Sequence, residues 1–160
     1  MFFDYHFAEK RLSAYEYATT FYPLWAGIAS KEQAARIVKN LPLFEKIGGL
    51  ETSTLVSGNQ WDSPFGWAPL EMIAVEGLRR YGYDSDAERI AVKFLSLVKR
   101  EYQRMGYIVE KYDVVNGGSN VTAIHFGYSA NQAGFGWTNA VFLELLGGLT
   151  QQDRERLLAQ

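Results

Sequence analysis

The chain has no cysteine and only two histidines among its 160 residues. Without thiols there is no disulfide framework and no thiolate nucleophile, which fits a reducing compartment. His6 and His125 stand far apart with no metal-ligand spacing around either, so no metal site is expected. The same scarcity argues against Ser-His-Asp chemistry, and no glycine-rich phosphate cradle leads into a helix. Sixteen basic residues against eighteen acidic ones leave a net charge of -2, without the basic surplus of a nucleic-acid binder. No apolar run approaches the roughly twenty residues of a membrane span, and no charged n-region with an apolar h-region behind it opens the chain. These absences predict a single domain over residues 1–160, read as cytoplasmic, with neither nucleic acid nor membrane as partner.

Aromatic residues are plentiful instead, at 15% of the chain. A small helical core can use Tyr and Phe as filler, but here many aromatics sit beside Gly, Asn and Gln in stretches without helical periodicity. The densest is Gln60-Trp61-Asp62-Ser63-Pro64-Phe65-Gly66-Trp67-Ala68-Pro69. Indole faces stack on the apolar faces of sugar rings, and Gln and Asp side chains hydrogen-bond hydroxyls. The two prolines stiffen the segment, as a preorganised binding surface requires.

Elsewhere the periodicity is helical. Ala34, Ile37, Val38 and Leu41 share a face behind a Ser30 cap, and an apolar stretch over 18–29 predicts a short buried helix starting near Pro23. Leu70, Ile73, Ala74, Gly77, Leu78 and Tyr81 mark the next face, stopped by Gly82. Ser85 and Glu88 have the spacing of a capping box ahead of a helix ending near Gly106. A helix from Trp137 or Thr138 to about Leu146 is apolar nearly all round, which predicts burial, and Thr150 caps a terminal helix through Leu158. Only Tyr107–Val109 and Thr52–Val56 look strand-like. Helical hairpins separated by long loops over 48–69 and 106–136 describe an all-α protein, either an α/α toroid or a plain helical bundle.

Carboxylates are the remaining catalytic currency, and the loop candidates are Glu51, Asp62, Glu110 and Asp113. Glu110 follows the apolar Ile108-Val109 pair, and Lys111 or Tyr112 could orient it; the alternative is a surface charge paired with a lysine. A third cluster, Asn131 to Asn139, flanks Phe135 with glycines and leads through Trp137 into a helix. Alone, it reads equally as a helix N-terminus with two core anchors.

Together these clusters resemble family 37 glycoside hydrolases, the trehalases. Gln60 to Pro69 is similar to a signature of that family over its whole length. Gly48 to Thr54 resembles the stretch before it, Glu110-Lys111-Tyr112-Asp113 the segment that carries the family's general base, and Gly134 to Asn139 its turn into the last barrel helices. Phe21 to Gly27 is similar to an earlier helix. The resemblance implies an (α/α)6 toroid barrel, of which this chain is roughly the C-terminal half. It also implies inverting hydrolysis of α,α-trehalose to two glucoses, with no metal or organic cofactor. It makes Glu110 the general base, sets Trp61 against a glucose ring, and puts Gln60 and Asp62 on hydroxyls or in bracing of the loop. Gln132, Phe135 and Trp137 complete the substrate-binding set.

The chain departs from the family in two places. The Ser-Gly-Trp-like segment with the family's general-acid Asp does not occur, and the substrate-binding arginines that accompany it lie in the missing half. Between Asn116 and Gln132 the family's glycine run followed by Glu-Tyr is replaced by Gly117-Gly118-Ser119-Asn120 and His125-Phe126-Gly127-Tyr128. Three readings follow: part of a trehalase-like enzyme completed by an N-terminal half-barrel partner, a glycosidase for another α-glucoside, or a non-catalytic sugar-binding half-barrel. The last would cover its apolar edge as a homo-oligomer.

Overall fold

Helices α4 (Ala68–Arg80) and α5 (Asp84–Met105) carry the fold, joined by a tight turn and packed along their length. The computed structural model describes residues 1–128 and 130–159. An exposed hairpin of β1 (Tyr5–His6) and β2 (Arg11–Leu12) opens the chain. A 3-10 turn (Ala18–Phe21) then leads into α1 (Tyr22–Trp25), whose Pro23 lies in the first turn, where its missing N–H costs nothing. Next come α2 (Lys31–Lys39), α3 (Leu41–Phe44), and the antiparallel pair β3 (Glu45–Lys46) and β4 (Gly49–Leu50). Strand β5 (Phe65–Trp67) runs directly into α4. After α5 the chain returns as β6 (Lys111–Asp113), then α6 (Gly136–Gly147) and α7 (Gln151–Ala159).

Helix α4 touches α1, α5 and α6, and its Ala74, Val75 and Leu78 meet Phe94 and Leu97 of α5 in one apolar cluster. Close packing against α1 depends on Gly77, where a Cβ would stand 2.9 Å from Leu24 Cβ and from the Trp25 backbone nitrogen. Gly106 ends α5 at a φ of 81°, a conformation that favours glycine.

Three expectations need correction. The capping box forms at Ser30, whose Oγ accepts from Gln33 N at 3.2 Å while Gln33 Oε1 accepts from Ser30 N at 2.7 Å. It does not form at Ser85. Helix α5 begins at Asp84, which puts Ser85 inside the first turn, and Glu88 is drawn away to Thr150 N (2.7 Å) and Arg79 (3.5 Å). Helix α6 is not buried all round: Thr138, Val141 and Leu145 are, but Leu143 is 68% exposed, since α4 and α5 cover only one side. Finally, Val109 and Ser53 make single bridges to Ala133 and Tyr17, while the ladder that matters joins β5 to β6.

One carboxyl is sealed inside this framework. Glu71 of α4 is wholly buried; its Oε1 accepts from Leu50 N at 2.7 Å, and its Oε2 has no partner among the described residues. Gly49 presses against it so closely that any Cβ there would collide with the carboxyl. Burial lifts the Glu71 carboxyl well above the usual carboxylate range, and Glu45 adds to the rise, while the Leu50 N–H and Lys93 oppose it. A carboxyl lifted by folding stabilises the fold fully below its unfolded titration range, and that contribution drains as pH rises toward the folded value. Glu71→Gln should therefore flatten the fall in stability above the ordinary carboxylate range. Thermal unfolding scans at successive pH values should show the variant gaining on the parent as pH rises, by about 2–4 °C for each kcal/mol removed. A difference independent of pH would refute a neutral Glu71.

Candidate active site

Three rungs of antiparallel pairing bring two distant segments together: Phe65 opposite Asp113, Gly66 opposite Tyr112, and Trp67 opposite Lys111. Gly66 is needed for the close approach, since a Cβ there would lie 2.5 Å from Val114 Cγ1 and 2.7 Å from the Leu50 carbonyl oxygen. The ladder sets the end of the Gln60–Pro69 run beside the residue that follows Glu110.

Lys111 is fully buried, at 0% exposure. Its ammonium donates to Glu110 Oε2 at 2.7 Å and to the Ala130 carbonyl at 3.2 Å. It also lies 4.4 Å from the centre of the Tyr128 ring and 5.2 Å from that of Trp67. An unpaired ammonium at this depth would cost several kcal/mol, so the carboxylate and the π faces are conditions of its being there. Glu110 is only 2% exposed. Its other oxygen, Oε1, accepts a hydrogen bond from the Tyr128 hydroxyl. The Glu110 backbone is clamped too, its N–H donating to the Gln132 carbonyl (2.9 Å) and its carbonyl accepting from Thr138 Oγ1 (3.2 Å). Burial, reinforced by the Glu110 carboxylate, pushes the Tyr128 phenol up to about 12.

The indoles form a wall beside this carboxylate. Trp61 stacks on Trp67 with centroids 3.8 Å apart and planes 8° from parallel. Trp67 is buried, its Nε1 donating to the Gln60 carbonyl at 2.9 Å, whereas Trp61 is 36% exposed. Trp137, at the start of α6, meets Trp67 edge-on at 5.7 Å, and Phe135 packs on Trp137 at 4.7 Å. Gln60 Oε1 and Trp137 Nε1 are buried without a partner among the described residues. An unpaired acceptor and donor in one aromatic wall are groups that a polyhydroxylated ligand can satisfy.

The structure thus brings Glu110, Gln60, Trp61, Phe135 and Trp137 into one chain of contacts. Gln132 joins it through its backbone carbonyl, with its side chain exposed. Asp62 is buried and turned inward, its carboxylate accepting from the hydroxyls of Ser53 (2.7 Å), Tyr15 and Ser57. Burial raises the Asp62 carboxyl from its ordinary value. Of the two neighbours that could orient Glu110, Lys111 touches it. Tyr112 points into the core, edge-on to Phe94 at 5.9 Å. The other loop carboxylates are engaged elsewhere: Glu51 pairs with Lys46 at 3.0 Å, and Asp113 holds both Asn116 N and Asn116 Nδ2 at 2.8 Å. No group of three or more metal-ligating side chains occurs among the described residues.

Sequence reasoning missed Tyr128, Thr138 and Tyr15, which carry no local signal because each acts across 18 to 47 residues of chain. Asp62→Ala should leave three hydroxyls without their shared acceptor and cost about 1–3 kcal/mol. Chemical denaturation followed by tryptophan fluorescence measures this; a variant as stable as the parent would show that the loop does not depend on the brace.

The chain is similar to known proteins in sequence and in fold. The family model described as Trehalase matches residues 1–150. A cytosolic neutral trehalase from Beauveria bassiana is 43% identical over 89% of this chain and 22% of its own length. A periplasmic trehalase from Pseudomonas aeruginosa is also 43% identical, over 89% of this chain and 26% of its own. The chain therefore spans about a quarter of the length of these curated relatives. Among solved structures, neutral trehalase Nth1 from Saccharomyces cerevisiae superposes with a TM-score of 0.80 and 40% identity, covering 99% of this chain and 28% of that one. A GH63 mannosylglycerate hydrolase from Thermus thermophilus, in complex with glucose, shares the fold at a TM-score of 0.67 and 22% identity, over 90% of this chain and 34% of that one. The helices described above are part of an α/α toroid.

Proposed function

The chain belongs to the trehalase family, and from that premise we propose that it builds part of a trehalase-like glycoside hydrolase site, with Glu110 as general base. The observation that carries this reading is a buried carboxylate, ion-paired with Lys111, set against a wall of three indoles with an unpaired donor and acceptor in it. In inverting hydrolysis one carboxyl protonates the glycosidic oxygen while the other takes a proton from a water on the opposite face of the ring. The two lie roughly 6.5–9.5 Å apart to admit that water. Glu110 Oε1 would be the oxygen for this task, with the Tyr128 hydroxyl giving way to water, because Oε2 is committed to the buried Lys111. The exposed face of Trp61 would carry a glucose ring, Gln60 and Trp137 would meet hydroxyls, and Phe135 would support Trp137. Asp62 and Gln132 would serve by bracing the loop and the Glu110 backbone.

The acid would come from an N-terminal half-barrel packed on the uncovered side of α6, where Leu143 is exposed. Leaving-group protonation is worth roughly 10²–10⁴-fold, so the chain by itself would bind sugar but turn over trehalose poorly. A related α-glucoside is the second reading. It is favoured by Tyr128, which reaches Glu110 from the 116–132 segment where the chain departs from the family pattern.

The test is hydrolysis of trehalose and a panel of α-glucosides by this chain co-expressed with the open reading frame upstream of it. α-Glucosyl fluoride is added because its leaving group needs no acid. Glu110→Gln keeps a side-chain oxygen for Lys111 and, in protein that still unfolds cooperatively, should lower kcat on both trehalose and the fluoride by at least about a hundredfold with little change in sugar binding. Retained turnover would put the base elsewhere, and an assembly inactive on every glucoside would end the hydrolase reading.

A further inference from the structure

We propose that Asn131 is a positioning residue for Glu110: its side-chain amide fixes Lys111, and through that ammonium it fixes the direction of the carboxylate. The proposal rests on the reading of Glu110 as base, and it adds a residue to the machinery behind it.

One returning segment holds the backbone around Glu110. Gly134 N donates to the Ile108 carbonyl at 2.7 Å, Val109 forms an antiparallel bridge with Ala133, and Glu110 N donates to the Gln132 carbonyl at 2.9 Å. On that register the next partner of Lys111 is Asn131, and there the contact passes from backbone to side chain. Lys111 N donates to Asn131 Oδ1 at 3.3 Å, and Asn131 Nδ2 donates to the Lys111 carbonyl at 2.9 Å. A single amide thus supplies the donor and the acceptor that a paired strand residue offers through its backbone. The main chain is left free to turn, and the Ala130 carbonyl accepts from the Lys111 ammonium at 3.2 Å.

The amide is itself tied to the scaffold. Asn131 Nδ2 also donates to the Ser119 carbonyl at 3.0 Å. Ser119 Oγ in turn donates to Glu101 Oε2 and accepts from Arg104 at 3.0 Å, both on α5, and Arg100 of the same helix donates to the Gly117 carbonyl at 2.7 Å. Lys111 is therefore placed relative to the longest helix of the molecule. Placement matters here because consecutive side chains of an extended backbone diverge, and Glu110 lies at a bend just before β6. The 2.7 Å contact between the ammonium and Glu110 Oε2 depends on how that junction is set. The Gln132 carbonyl and the Thr138 hydroxyl hold its Glu110 side, and Asn131 holds its Lys111 side.

The experiment follows the Lys111 ammonium protons by NMR of 15N-lysine-labelled protein, since a buried, ion-paired ammonium exchanges slowly with water. Asn131→Leu keeps the volume and removes all three hydrogen bonds; Asn131→Ala removes them without added bulk. In both, Lys111 ammonium exchange should quicken about tenfold or more beyond any change at the backbone amide of Phe94, buried in α5. In the assembly co-expressed with the upstream reading frame, both variants should lose about tenfold in kcat on α-glucosyl fluoride, with KM within about twofold of the parent. That split is the mark of a misdirected base beside an intact sugar wall. Lys111 exchange that quickens no more than that of Phe94 in both variants overturns the proposal. So does an unchanged kcat in either variant of an assembly that Glu110→Gln inactivates. Turnover retained by Glu110→Gln removes the base assignment alone, and the exchange rates still decide whether Asn131 holds the ion pair.

Discussion

The site depends on one pairing, Trp67 opposite Lys111 in the β5–β6 ladder. That rung joins the aromatic run to the carboxylate segment, more than forty positions later in the chain. It puts a lysine ammonium where no water reaches, and the chain can tolerate it there only with Glu110 at 2.7 Å and two aromatic faces around it. Removing either member of the ion pair would strand the other, so the wall and the carboxylate are held as one unit. Helix α4 begins directly after Trp67, which ties the ladder to the longest packed helices of the molecule and gives the site a rigid base.

Much of the helical scaffold was legible in the sequence, because its elements are long and amphipathic and the 3.6-residue period is visible over several turns. The Ser30 cap and the Gly106 stop were legible for the same local reason. The Ser85 box was misread because Glu88 has better partners in Arg79 and the Thr150 N–H, which only the tertiary structure brings near. The ladder left no trace in the sequence. Its strands are three residues long, one contains Gly66 and the other begins with a lysine, so neither alternates apolar with polar. Glu110 stood out by its place after an apolar pair and by resemblance to a known family; its contact with Tyr128, from a segment without period or motif, did not.

Two of the buried carboxyls, Glu71 and Glu110, show how different the surroundings of such a group can be. Glu71 meets one backbone N–H and no nearby cation strong enough to offset its burial, and it is lifted far toward the neutral acid. Glu110, as deeply buried, faces an ammonium and a phenol hydroxyl. The first pins the β3–β4 turn to α4; the second sits beside an indole wall. The same fold occurs in relatives several times longer than this chain.

The proposed site requires that Trp61 and Trp137, both packed on the buried Trp67, form a single wall fixed by the ladder. The chain has four tryptophans, and each contributes one indole N–H resonance. Titration of 15N-labelled protein with trehalose should shift the Trp61, Trp67 and Trp137 signals along one common binding curve. Three unmoved signals, or three curves with separate midpoints, would contradict it.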